Sequence, residues 1–203
     1  MLGTDLYGVF INLEGQRTLV VGAGDMANEK AEALERGGAE VTILAPDAYE
    51  EKALDGCLLV VAAITDLDLA RRIHADATER AMLVNVADVP DLCNFILPAL
   101  ARTGPITVAV STAGASPALA QRIRREVAAT IDDSYADLAE TLDGLRPWAK
   151  ENLATYEARR DFFAGIVGGD PDPIALIRAG KRDELAGLIE DAKARAGGAG
   201  QGS

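Results

Sequence analysis

The stretch Arg17-Thr18-Leu19-Val20-Val21-Gly22-Ala23-Gly24-Asp25-Met26-Ala27 decides the fold. Its first half, RTLVVG, is a short β-branched run ending in glycine and reads as a buried strand. Its second half, Gly22 to Ala27, is GxGxxA and opens a segment, Asp25–Arg36, with Met26, Ala27, Ala31 and Leu34 at helical spacing. Gly37-Gly38 ends that segment. Gly22 permits a tight strand-to-helix turn, Gly24 lets a pyrophosphate approach the backbone, and the small Ala27 allows close helix–strand packing. The helix start then offers free N–H groups and the positive end of its dipole to phosphates. A glycine turn in an α/β domain without a nucleotide is the alternative. The strand before, the helix after and a second strand at Glu40–Ala45, closed by Pro46, favour the nucleotide.

Outward from this turn, apolar runs and helical patterns alternate. Cys57–Ala63 is a third apolar run, Asp66–Glu79 reads as a helix, Met82–Val86 as a strand and Ile106–Ser111 as one more. This alternation predicts an α/β fold whose N-terminal part is a Rossmann-type parallel sheet with helices on both faces. From Ser116 the sequence turns helical, over Ser116–Thr130, Asp132–Ala149, Glu151–Ile166 and Lys181–Arg195, with Ser116-Pro117 a good helix start. The Gly-rich end, 197–203, is expected to be a disordered tail.

The 203 residues suffice for a full α/β domain and a smaller unit, and 49% hydrophobic content supports a core. A net charge of −12 argues against nucleic-acid binding, which needs a surplus of Lys and Arg. Cys57 and Cys93 stand far apart in no CxxC pattern, so a disulfide framework or zinc site is not expected. The N-terminus lacks the pattern of a signal peptide and no apolar run is long enough for a membrane span. A cytoplasmic protein, with no membrane or nucleic-acid partner, is the expectation.

Asp47, just past the second strand, is the nearby acid placed to hold an adenosine ribose, with a solvated loop acid as the alternative. Ala45–Glu51 contains no Arg to welcome a 2′-phosphate, which favours NAD over NADP. The single histidine, His74, lies within a predicted helix and reads as a surface or packing residue. With no His/Cys metal cluster, GxSxG elbow or Walker lysine, proton-transfer chemistry falls to a carboxylate. Asp88 is the best placed, at the carboxyl end of a predicted parallel strand where ligands of such sheets bind, although a turn-capping role is equally open. The turn Ser111–Pro117 could hold an anionic group or merely cap a helix. Arg122, Arg124 and Arg125 in QRIRR form a positive patch beside it, or a solvated helix face.

Four segments in order carry a resemblance. Tyr7, Phe10, Leu13 and Gly15 with Leu19–Asp25, then Asn85–Asp88, Asn94–Pro98 and Ser111–Ala120 with Ile123-Arg124, are similar to the precorrin-2 dehydrogenase/sirohydrochlorin ferrochelatase family. The resemblance implies NAD-dependent oxidation of precorrin-2 to sirohydrochlorin by a homodimer interlocked through the segment after Ser111. It implies Asp88 as the functional carboxylate, dinucleotide contacts from Gly22, Gly24, Asp25, Met26, Pro46 and Asp47, and substrate contacts from Asn85, Ser111, Thr112, Arg122, Arg124 and Arg125. It divides the chain into an NAD-binding domain at 1–111, a dimerisation segment at 112–146 and a C-terminal helical region at 147–196. Thr112 stands where some members carry a phosphorylatable serine. The chain also departs from the family. The short connection Pro46–Gly56 leaves room for a sheet lacking one strand, Ile64-Thr65 replaces a frequent Thr-Asp, and Ala113 replaces a usual glycine.

Three other readings stand beside the dehydrogenase. A bifunctional enzyme would also insert iron, a sensor would bind NAD without turnover, and the helical half could dock a separate chelatase.

Overall fold

The computed structural model describes residues 6–199. They form two compact units, the first running to Leu97 and taking in Ala113–Ser116, the second made of Pro98–Thr112 and the chain from Pro117 onward. In the first, β1 (Arg17–Gly22), β2 (Glu40–Leu44), β3 (Leu59–Ala63) and β4 (Leu83–Val86) form a parallel sheet of order β2-β1-β3-β4. Helix α1 (Gly24–Glu35) covers one face, where Ala27, Ala31 and Leu34 meet Val20, Leu59 and Val61. Helix α2 (Leu67–Glu79) covers the other, where Ala70, Ile73 and Ala77 meet Leu19, Val60 and Val84. Covered on both faces, β1 and β3 can be near-continuously apolar, as the sequence required. The expected Rossmann-type sheet is thus observed.

The connection from β2 to β3 carries no strand, only two short 3-10 turns, Pro46–Ala48 and Glu51–Leu54. β2 therefore remains an edge strand, with Ile43 44% exposed. Tyr49 and Leu54 turn inward from this connection and join the core.

One strand lies elsewhere than expected. Instead of adding to the parallel sheet, Ile106–Val110 (β6) pairs antiparallel with Ala99–Thr103 (β5) in a separate two-stranded sheet in the second unit. The first unit accordingly gives way at Leu97, ahead of the expected boundary at 111. The turn between the two strands is Gly104-Pro105; Gly104 has φ +52°, and proline holds φ near about −65°, the combination of a type II′ hairpin turn. An apolar run alone does not report its pairing partner; the Gly-Pro dipeptide was the available signal.

The rest of the second unit is helical: α3 (Pro117–Thr130), α4 (Asp133–Asn152), α5 (Tyr156–Val167), α6 (Pro173–Arg178) and α7 (Arg182–Ala199). Asp132, Thr155 and Asp172 cap α4, α5 and α6 by accepting backbone N–H bonds. α4 continues past Pro147 to Asn152, so α5 starts at Tyr156 rather than at Glu151. Ala149, Leu153, Phe162, Ile166, Leu188 and Ile189 make the core of α4, α5 and α7, with the Trp148 and Phe162 ring centroids 5.1 Å apart. Of the tail expected at 197–203, Gly197 to Ala199 continue α7, and the remainder lies outside the described residues.

Candidate functional site

The carboxyl ends of the four parallel strands make one edge of the sheet, and the strand order sorts the expected residues along it. β2 ends at Leu44 and delivers Pro46 and Asp47. β1 ends at Gly22, opposite Ala63 of β3, and delivers Gly24, Asp25 and Met26. β4 ends at Val86 and delivers Asp88. The chain crosses from β2 over β1 to β3, so the order reverses between β1 and β3, where open α/β sheets form their ligand crevice. With strands spaced about 4.8 Å apart, β1 and β4 are roughly 10 Å from each other.

The glycine turn fits a dinucleotide. A Cβ on Gly22 would lie 2.6 Å from the Ala63 carbonyl oxygen and 3.1 Å from the Ala27 Cβ, so the close strand–helix approach needs glycine. Gly24 has φ +72° and nothing within 4 Å of where a Cβ would be, which leaves its backbone open to a phosphate. The α1 N-cap, Ala23, makes no side-chain capping bond, whereas Asp66 caps α2 by accepting from the Asp68 and Leu69 N–H groups. The first N–H groups of α1 thus retain the capacity to bind an anion. Asp25 and Met26 are both exposed in that first turn.

Asp88 sits at the third position of a turn closed by the Val89 N–H donating to the Val86 carbonyl at 3.2 Å. Its φ is +60°, the left-handed conformation such a turn takes at that position and one that Asp tolerates better than most residues. The side chain is exposed.

The segment that follows is fastened to β4 by side chains. The Asn94 Oδ1 accepts from the Val84 N–H at 2.8 Å and its Nδ2 donates to the Met82 carbonyl at 2.7 Å. The Asn94 N–H donates to the Val84 carbonyl, while the Cys93 thiol accepts from the Val86 N–H and lies 3.3 Å from the Val86 carbonyl. Asn85 donates from Nδ2 to the Phe95 carbonyl at 2.9 Å, which pins the same segment. Burial pushes the Cys93 thiol above its ordinary range, as it does for Cys57. His74 has the packing role expected of it, its Nδ1 3.1 Å from the Leu92 carbonyl oxygen.

A second fastening, unseen in the sequence, holds the connection after β2. The buried Tyr49 hydroxyl donates to Asp76 Oδ2 of α2 at 2.9 Å, and the Arg72 guanidinium lies over its ring at 5.4 Å. Burial, then the bond to Asp76, holds the Tyr49 phenol well above the usual tyrosine range. Arg80 adds a bond to Glu51 at 2.7 Å. The one available signal was an aromatic residue inside an acidic connection.

Ser111, Thr112, Arg122, Arg124 and Arg125 belong to the second unit. Arg122 pairs with Glu126 at 2.9 Å on the exposed face of α3, Arg125 is exposed, and the Arg124 Nε is buried without a hydrogen-bond partner. Ala113 has φ +49°, the left-handed backbone for which the family's usual glycine is suited.

A Rossmann-type sheet with an open glycine turn at its carboxyl edge defines a dinucleotide-binding protein. Residues 9–99 match the family model described as "Putative NAD(P)-binding", and residues 103–130 that of the "Sirohaem biosynthesis protein central" region. The siroheme synthase of Nitrosococcus oceani is 35% identical over 204 residues, covering 91% of this chain and 43% of the relative. That of Thioalkalivibrio sulfidiphilus is 35% identical over 208 residues, covering 93% of this chain and 42% of the relative. A solved structure, SirC, precorrin-2 dehydrogenase, matches the fold with a TM-score of 0.72 at 24% identity, covering 92% of this chain and all of that one. Along about nine-tenths of its own length the chain is thus similar to part of siroheme synthase. It spans less than half the length of these curated relatives. Among the described residues no helix is long and apolar enough to cross a membrane.

Proposed function

We propose that this chain oxidises precorrin-2 to sirohydrochlorin with NAD. The observation that carries the reading is the order of groups along one sheet edge: Pro46 and Asp47 after β2, the glycine turn after β1 and Asp88 after β4. Pro46 and Asp47 would hold the adenosine end, while Gly22, Gly24 and the start of α1, with Asp25 and Met26, would hold the pyrophosphate. The absence of Arg from Ala45–Glu51 favours NAD over NADP. When bound, NAD supplies the hydride acceptor.

The substrate loses one hydride and one proton, and Asp88 is the carboxylate that takes the proton. Its left-handed turn projects it from the strand end, and the Asn94, Cys93 and Asn85 bonds hold the segment behind it. Asn85 would meet the macrocycle through its carbonyl oxygen. Arg122, Arg124 and Arg125, with Ser111 and Thr112, would receive carboxylates of the substrate, and the unpartnered Arg124 Nε supports that role.

The same reading makes the chain a homodimer. Among the described residues α3 buries only Ala120, in keeping with a helix that packs against a second copy. It places the reaction in the cytoplasm, in keeping with two unpaired cysteines, and leaves metal insertion to a separate chelatase.

The test mixes the protein or its Asp88→Asn variant with precorrin-2 and NAD without metal, following sirohydrochlorin and NADH together. The parent should form both in equal amounts, and the variant should lose about 10²- to 10⁴-fold in rate while still binding NAD. A parent that binds NAD yet turns nothing over would be a sensor, and the dehydrogenase reading would fall.

A further inference from the structure

The second unit contains a cleft of about 1170 Å³ between α4 and α5, lined also by Pro105 of the hairpin turn. Its walls are two helix faces. Arg146 and Lys150 lie along α4, and Tyr156, Arg159, Arg160 and Phe163 follow one another at helical spacing along α5. Its charge runs against that of the molecule. Four Lys and Arg line it against two acids, Glu140 and Asp143, in a chain with 20 Lys and Arg and 32 Asp and Glu.

We propose that this cleft is a second binding site, for a flat conjugated polycarboxylate of the tetrapyrrole class. The choice of that ligand rests on the dehydrogenase reading; the charge and shape of the cleft do not. Cations stand on both walls and are spread along them, which suits carboxylates distributed around a ring better than one compact phosphate. Tyr156, 70% exposed, and Phe163 offer aromatic surface for a planar ligand. Arg159 is fixed by donating to the Leu153 carbonyl at 2.7 Å, whereas the other two arginines are held by surface ion pairs, Arg146 to Asp143 at 3.0 Å and Arg160 to Asp161 at 2.7 Å. Such screened pairs are weak, and ligand carboxylates can replace them. The volume exceeds the usual range for drug-sized ligands, as a macrocycle requires.

The test titrates the full chain with uroporphyrin, a stable octacarboxylate porphyrin, and reads its absorbance and fluorescence. The parent should bind two per chain, and Lys150→Glu with Arg160→Glu should bind one, weakening the lost site about tenfold or more. The charge-keeping pair Lys150→Arg with Arg160→Lys should retain both. Should the reversed pair fail to fold, Tyr156→Ala reads the same loss at an exposed position. A parent that binds one porphyrin, lost in the reversed pair, keeps the cleft and removes the sheet-edge site of the dehydrogenase reading. A reversed pair that binds as many porphyrins as the parent overturns the cleft whatever the turnover assay shows. Displacement of the second porphyrin by an equal concentration of ATP also overturns it, because the ligand would then be a nucleotide.

Discussion

Asp88 and Ala113 both hold a left-handed backbone, at φ +60° and +49°. The two differ in what the sequence could reveal. An aspartate after an apolar strand and before Val-Pro announces a turn, and Asp tolerates that conformation through its short polar side chain. An alanine announces nothing of the kind, and only the resemblance marked 113 as a place for glycine. Thr18, in β1, is unusual for another reason: it is fully buried, and its hydroxyl has no hydrogen-bond partner. An unsatisfied buried hydroxyl opposes folding, so Thr18→Val, nearly the same in shape and equally at ease in a strand, should stabilise the protein by about 1 kcal/mol. Thermal melting checks this, with a rise of about 2–4 °C expected for a chain of this size. A fall would show that the hydroxyl is satisfied in solution.

The elements were legible where periodicity and punctuation agreed. β1, α1 and α2 fall within about two residues of their predicted bounds, because apolar spacing, Gly37-Gly38 and the Asp66 cap all act locally. The antiparallel pairing of β6 and the fastening of Asn94 to β4 depend on partners that neither run of sequence names. The Tyr49 anchor depends likewise on Asp76, 27 residues away. Replacing it with Phe should cost about 1–2 kcal/mol at neutral pH, since Asp76 loses its donor. The replacement should also change the alkaline limb of stability. Folding raises the phenol's pKa, so its contribution is whole below the unfolded value of about 10 and is lost as pH climbs from there through the folded value. Denaturant titrations at neutral pH and near pH 11 should show parent and variant converging, and a constant gap between them would rule out the anchor.

For the molecule as a whole, composition gave the charge but not its distribution. A net charge of −12 implies self-repulsion, so raising ionic strength from about 0.02 to 0.2 M should raise the melting temperature. A flat or falling melting curve would mean that local ion pairs outweigh the average field. The concentration of Arg and Lys between α4 and α5 became visible only once helix faces replaced sequence intervals. The parallel sheet has an asymmetry of another kind. On the outer side of β4, the Met82 carbonyl and the N–H and carbonyl of Val84 and Val86 are all engaged by Asn94 and Cys93, while β2 lies at the opposite edge without a strand beyond it. Treated as a building block, this sheet has a valence of one: two copies meeting along β2 would exhaust each other, and strand addition has no second edge from which to grow a fibre.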